Sequence, residues 1–352
     1  MARPTAASSR AALVTLVAMV TLAACAPAAP TPAAAPAAKT AATQPAAQGQ
    51  KVVLKASHSA APTEPYQVGL EAFKAEVEKA TNGQVEVQIF PSNQLGNERD
   101  VTEGVKLGTV HVQAVPTAIL TNFVLEFAIF DLPMLWKDRQ EMYKAMDGEL
   151  GKALSETALQ QGFRVIGWYE AGVRHIMTRN KPINTIADLR GLKIRTIQSQ
   201  VALDAFQAFG ANPTPIAYGE LYSALQQGVV DGAEAANTNY VAQKFYEVAP
   251  YWAEVGWWII AVPVIMNEKT FSSLPKATQD AILTAGAKSS QVERENYQKQ
   301  DAEALQKAQQ SGAKITITRP DRAPFIEASK KVWKQWESKV GADNLRKIVG
   351  DY

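Results

Sequence analysis

Two arginines stand in stretches that are otherwise apolar. Arg195 lies near the end of LKIRT, and Arg174 lies in EAGVRHIM. A planar guanidinium matches the two oxygens of a carboxylate and holds it through parallel hydrogen bonds. Such an arginine pairs with a structural acid, points to solvent or awaits an anionic ligand. Asp231 and Glu234, in VVDGAE, could form an acid–base pair, although an Asp before Gly is also turn composition. The three histidines, His58, His111 and His175, have no metal-ligand spacing to one another or to an acid. No Gly-x-Ser-x-Gly elbow, His-Glu-x-x-His pair or Gly-rich phosphate loop is present. The pattern points to binding rather than turnover, with no metal and no cofactor.

The segments that must position these residues alternate in type. KVVLKASHS reads as a strand, PYQVGLEAFKAEVEKATNG as an amphipathic helix and QVEVQIF as a strand. NERDVTEGVKLG then reads as a short helix and HVQAVPTAIL as a strand, an order that predicts a parallel α/β sheet. FRVIGWYEAGVRHIMTRN predicts a pair of strands leading out of that unit. The stretch around Arg195, with NPTPIAYGELYSALQQGVVDGAE, builds a second α/β unit, and WWIIAVPVIMN is a returning strand. Arg195 falls at the carboxyl end of its strand, before a helix that Ser199 is placed to cap, and open α/β sheets bind ligands there. SLPKATQD through QQSG predicts a helix of roughly 50 Å, longer than one small lobe needs. AKITIT adds a strand, and APFIEASKKVWKQWESKV a last amphipathic helix.

The chain has 352 residues, with 36 Lys+Arg against 34 Asp+Glu and 47% hydrophobic residues. Such a balance gives no reason to expect a nucleic-acid partner, and the length suffices for two packed lobes. The first fifty residues differ in kind. MARPTAASSR carries two arginines and no acid, and AALVTLVAMVTLAA is apolar but short for a membrane span. Together they read as a secretory signal over 1–25, ending in LAAC. Cys25 is the only cysteine, so no intramolecular disulfide is available. Residues 26–50 are rich in Pro and Ala and read as an extended tether with a reach on the order of 70 Å.

LAAC resembles the lipobox of bacterial lipoproteins, which implies lipidation at Cys25 and attachment to a membrane surface. GVRHIMTRNKPINTIADLRGLKIRT through GANPTPIAYGELYSALQQGVVDGAE resembles the solute-binding proteins of tripartite ATP-independent periplasmic (TRAP) transporters, the DctP family. LKASHS, QLGNERD and the long late helix fit the same pattern, so the resemblance covers essentially residues 51–352. It implies an α/β, two-lobed, type II-like periplasmic binding protein fold, its lobes bridged by strands and a long C-terminal helix. Lobe I would be 51–172 plus 262–300, and lobe II 173–261 plus 301–352. It also implies an extracytoplasmic receptor, not an enzyme, that hands a small carboxylate to a permease of small and large membrane subunits. A lipoprotein that feeds a sensor, or one that acts enzymatically on a carboxylate, is the alternative.

Carried over residue by residue, Arg195 resembles the family's carboxylate clamp and Arg174 a second arginine near the ligand. Gln198 falls where a polar side chain supports the carboxylate, and Tyr218 where an aromatic ring packs on the ligand. His58 and Thr117 are the expected contributors from lobe I, and Glu234 joins the pocket. Relatives often place Asn after the Asp-Gly-x-Glu run. Ala235 stands there instead, so that contact is either missing or supplied by Asn237, Asn239 or Tyr240. Trp168, Tyr169, Trp257 and Trp258 either narrow the pocket or pack the core.

Overall fold

The computed structural model describes residues 51–352. The signal, Cys25 and the tether lie outside the described residues. The first unit alternates as its patterning predicts: β1 (Val52–Ser57), α1 (Pro65–Ala80), β2 (Val85–Phe90), α2 (Glu98–Leu107) and β3 (Val112–Ala114). Asn97 caps α2 by accepting from the N–H groups of Arg99 and Asp100, both at 3.1 Å. β3 is shorter than its apolar alternation suggests. Pro116 has no N–H to continue a ladder, and the chain turns into α3 (Thr117–Leu120). A 3-10 turn at Leu125–Asp131 leads to α4 (Arg139–Asp147) and α5 (Glu149–Gln160).

β4 (Phe163–Thr178) is one strand of 16 residues, where the sequence suggested two. The second α/β unit follows as β5 (Lys193–Thr196), α6 (Gln200–Ala208), β6 (Asn212–Pro215), α7 (Leu221–Gln227), β7 (Gly232–Ala235) and α8 (Asn237–Ala242). β8 (Tyr251–Asn267) returns over 17 residues. The chain ends with α9 (Glu268–Ser273), α10 (Lys276–Gln310), β9 (Thr316–Thr318), α11 (Ala323–Val340) and α12 (Ala342–Val349).

The strands form one nine-stranded sheet in the order β2-β1-β3-β8-β4-β7-β5-β6, with β9 beside β8. β4 and β8 pair antiparallel along nearly their whole length, so these two strands join the two α/β units. Their register shifts between Glu170 and Val173 and between Arg174 and Ile176, and Gly172 lies inside the first shift. Gly172 has φ +76°, and a Cβ there would lie 2.6 Å from the Tyr297 ring and 2.7 Å from Ala236. Glycine alone fits this bend, which sets the path of β4 into Arg174.

α10, 35 residues long, packs against α1, β4 and α8 and so spans both units. Gly286 lets it touch the sheet, because a Cβ there would meet the Ile166 carbonyl oxygen at 1.8 Å. One apolar core lies around Leu54, Phe73, Phe127 and Val262, and a smaller one around Leu225, Tyr240 and Trp252. Each fully buried side chain of this size contributes roughly 1.5–3 kcal/mol. The cleft between the two units is where the site forms.

Candidate functional site

A cavity of about 40 Å³ lies in that cleft, between the α1 and α2 N-termini on one side and β5, β7 and α8 on the other. This is room for about three or four water-sized groups. Arg174, Arg195 and Glu234 line it from neighbouring strands. β7 lies between β4 and β5, so Glu234 reaches both guanidiniums. Arg174 Nε donates to Glu234 Oε2 at 2.6 Å, and Arg195 Nη1 donates to Glu234 Oε1 at 3.2 Å.

The two arginines differ in what remains free. Arg174 Nη1 donates to Ala171 O at 3.1 Å and to Asn239 Oδ1 at 2.8 Å, and its Nη2 reaches Glu234 O at 3.4 Å. All three of its nitrogens are engaged. Arg195 Nε donates to Ile216 O at 2.9 Å, but its Nη2 is buried with no partner among the described residues. Burial works against both charges. At Arg174 the combined pull of Glu234, Tyr297 and Tyr218 outweighs it and the pKa rises, whereas at Arg195 burial prevails and the pKa falls. The Tyr218 hydroxyl is also buried and unpartnered, and the Arg195 guanidinium lies 6.0 Å from the centre of its ring. Two donors thus face the cavity unsatisfied, a costly arrangement unless an acceptor completes it.

The opposite wall is acidic. Glu64, at the start of α1, accepts from Ala61 N–H at 2.8 Å and from Gln243 Nε2 at 2.9 Å. Its other oxygen accepts from Asn239 Nδ2. Glu98 accepts from Ser59 Oγ at 2.6 Å through Oε1, and no donor among the described residues reaches its Oε2. Burial raises the pKa of both carboxyls, against the pull of these hydrogen bonds and of the nearby arginines. Tyr66, Tyr297, Ile197 and Ile260 supply aromatic and apolar surface.

Of the residues singled out in the sequence, Arg174, Arg195, Tyr218, Glu234 and Asn239 meet at this cavity. Of the three residues named in place of the usual Asn, only Asn239 lines the cavity, and Ala235 is fully buried. Asn237 donates to Asp301 O on α10, and Tyr240 donates to Ala249 O. The other candidates do not line the cavity. In the core, Trp168 stacks on Phe127 at 5.9 Å and packs at a tilt against Phe130 at 5.5 Å. Thr117 donates within the buried set formed by Asp131 and Ala261, and His58 bonds Gln67 at 2.9 Å. Gln198 lies half-buried in the turn before α6, where its carbonyl accepts from Asn122. Tyr169 donates to Ser289, Trp258 donates to Phe130 O, and Trp257 packs on Phe206, so all three belong to the core. Asp231 accepts from Lys193 N–H as a turn residue, apart from Glu234. Glu64, Tyr66 and Tyr297 were not singled out in the sequence. Glu98 was legible only as part of QLGNERD, with no role assigned.

Comparison with known proteins agrees with this architecture. The model of the bacterial extracellular solute-binding proteins of family 7, DctP, matches residues 56–339. A solute-binding protein of Verminephrobacter eiseniae is 33% identical over 281 residues, 80% of this chain and 84% of its own. A TRAP periplasmic solute-binding protein of Polaromonas, solved bound to D-erythronate, superposes with a TM-score of 0.82 at 30% identity, covering 84% of this chain and 98% of that one. The corresponding protein of Sulfurospirillum deleyianum, solved with bound succinate, gives 0.80 at 32% identity over 85% and 98%. A family match spanning the sheet, the cleft and α10 leaves one assignment: the chain belongs to the DctP family of bacterial extracellular solute-binding proteins.

Proposed function

We propose that this protein captures a short organic acid in the cleft and delivers it to a TRAP-type permease of small and large membrane subunits. The observation that carries this reading is Arg195 Nη2, buried, unpartnered and beside the equally unpartnered Tyr218 hydroxyl. One carboxylate oxygen on Nη2 and Nη1, and the other on Tyr218, would complete these donors. Arg174 then acts through Glu234, fixing the acid that orients Arg195. The division into lobe I (51–172 plus 262–300) and lobe II (173–261 plus 301–352) is part of this proposal, as is lipid attachment at Cys25.

The acidic wall refines the ligand. Glu64 and Glu98 already face the two guanidiniums across the cavity, and Glu234 lies between them, so a second ligand carboxylate would add another anion. Glu98 Oε2 instead offers an acceptor to a ligand hydroxyl or amine. A small monocarboxylate bearing such a donor fits best.

D-Erythronate and succinate separate these chemistries at equal chain length. In a thermal-shift titration, D-erythronate at a hundred times its Kd should add about 2.7 kcal/mol of stability, with succinate well behind. Arg195→Ala should weaken binding on the order of a hundredfold, since truncating one member of a buried charge pair costs about 2–5 kcal/mol. Unchanged calorimetric affinity in Arg195→Ala would refute the clamp. Turnover of the bound acid would instead favour an enzyme.

A further inference from the structure

Glu64 is 1% exposed and belongs to the α1 side of the cleft, yet two of its three hydrogen-bond donors come from α8 and the residue after it. Asn239 and Gln243 lie on the opposite wall, so their bonds to Glu64 exist only while the walls are together. Separating them would strip the carboxylate to the single Ala61 N–H and return it to water. We propose that Glu64 is a ligand-independent latch: it holds a fraction of molecules closed before any solute arrives, and it sets the clamp as it does so.

The second half of that statement follows from Asn239. An amide has one acceptor and one donor end, and Glu64 takes the donor end. Asn239 Oδ1 is thereby turned to Arg174 Nη1, and it also receives Tyr297 Oη at 3.4 Å. The chain of contacts runs Glu64, Asn239, Arg174, Glu234, Arg195. Closure thus orients the guanidinium pair through one amide whose direction Glu64 dictates. α8 is steadied from behind by α10, where Asp301 Oδ1 accepts from Thr238 N–H at 3.2 Å and from Thr238 Oγ1 at 3.0 Å. Glu64 acts from the front, which makes α8 the moving jaw. It is a positioning residue, since its oxygens are occupied by protein donors rather than open to a ligand.

Spin labels report the latch without any ligand. Lys79→Cys on α1 and Gln226→Cys on α7 are exposed positions on opposite sides of the cleft. In the tether-free chain that carries them, pulsed dipolar distances should show a short, closed population in the unliganded protein. Glu64→Gln replaces an acceptor by a donor facing Asn239 Nδ2 and should lower the closed-to-open ratio about tenfold, with little change in melting temperature. Gln243→Ala should lower it less. The double variant should fall close to the product of the two, because Glu64→Gln disturbs the Asn239 bond on one oxygen and Gln243→Ala removes the bond on the other. An unliganded parent found only open, or a ratio unmoved by Glu64→Gln, would overturn the latch. None of these outcomes bears on carboxylate capture by Arg195, which the calorimetry tests separately.

Discussion

The two walls of the cleft hold buried carboxyl groups in opposite ways. On the β5–β7 side Glu234 lies between two guanidiniums, its charge met by cations on both oxygens. On the other side Glu64 and Glu98 are held by amides and hydroxyls, as is Asp131 away from the cavity, and burial raises the pKa of all three. The contrast assigns tasks. The paired wall can receive an anion because its one acid is already neutralised, whereas the unpaired wall repels anions and accepts hydrogen bonds. A ligand negative at one end and hydrogen-bond donating at the other satisfies both.

The harshest test removes the acid on the paired side. Glu234→Leu would leave Arg174 and Arg195 buried without a counter-charge, and breaking such pairs costs about 3–5 kcal/mol. Chemical denaturation should show a loss of that size, with binding abolished. A loss below about 1 kcal/mol would mean that water reaches these guanidiniums and that the walls do not differ.

Away from the cavity but held in the same unpaired way, Asp131 is pushed up to about 7 by burial, against its bonds from Thr117 and Thr121. Geometry agrees with a neutral acid. Thr117 Oγ1 lies 2.6 Å from Asp131 Oδ1 and 3.1 Å from Ala261 O, and one hydroxyl proton cannot serve both. With Asp131 protonated, it donates to Thr117 and Thr117 donates to Ala261. The native pKa lies above the unfolded one, so the stabilisation is complete below the unfolded value near 3.8 and fades as pH rises towards 7. Asp131→Asn removes this slope. Relative to the parent, its unfolding free energy should improve by about 2–3 kcal/mol between pH 5 and pH 7, at about 1.4 kcal/mol per unit. Parallel stability curves would show Asp131 ionised throughout.

Glu98 sharpens the contrast at the ligand. Glu98→Gln removes a negative charge from the acidic wall and should relax the penalty on a second ligand carboxylate. Succinate affinity should rise relative to D-erythronate by about tenfold, or 1.4 kcal/mol. A ratio unmoved by the substitution would mean that Glu98 does not discriminate.

How much of this the sequence could reveal follows from chain separation. Arg195, Tyr218, Glu234 and Asn239 lie within one stretch of βαβ units, and strand ends of such units gather ligands. The acidic wall gave no such signal. Glu64 meets Asn239 across 175 residues, and no local periodicity encodes a partner so distant. Trp168 was ambiguous for the opposite reason: an aromatic in a strand buried on both faces reads alike towards cleft or core, and here Phe127 and Phe130 claim it. The single long β4 escaped notice because its bend at Gly172 resembles a break between two strands. Only its pairing along β8 shows it to be continuous.

A single hydroxyl isolates the paired wall's second donor. Tyr218→Phe removes one hydroxyl and keeps the ring that stands edge-on to Phe245, 6.3 Å between centres. Because that hydroxyl has no protein partner, the unliganded protein should lose no stability and could gain slightly, a buried unsatisfied group having been deleted. The liganded protein should lose one hydrogen bond to a charged acceptor, about 1.5–3 kcal/mol at most. A denaturation curve no worse than the parent's, together with a calorimetric affinity reduced about tenfold, is the signature of a donor reserved for the ligand. Lost stability with unchanged affinity would place Tyr218 in the fold and leave Arg195 as the sole clamp on that wall.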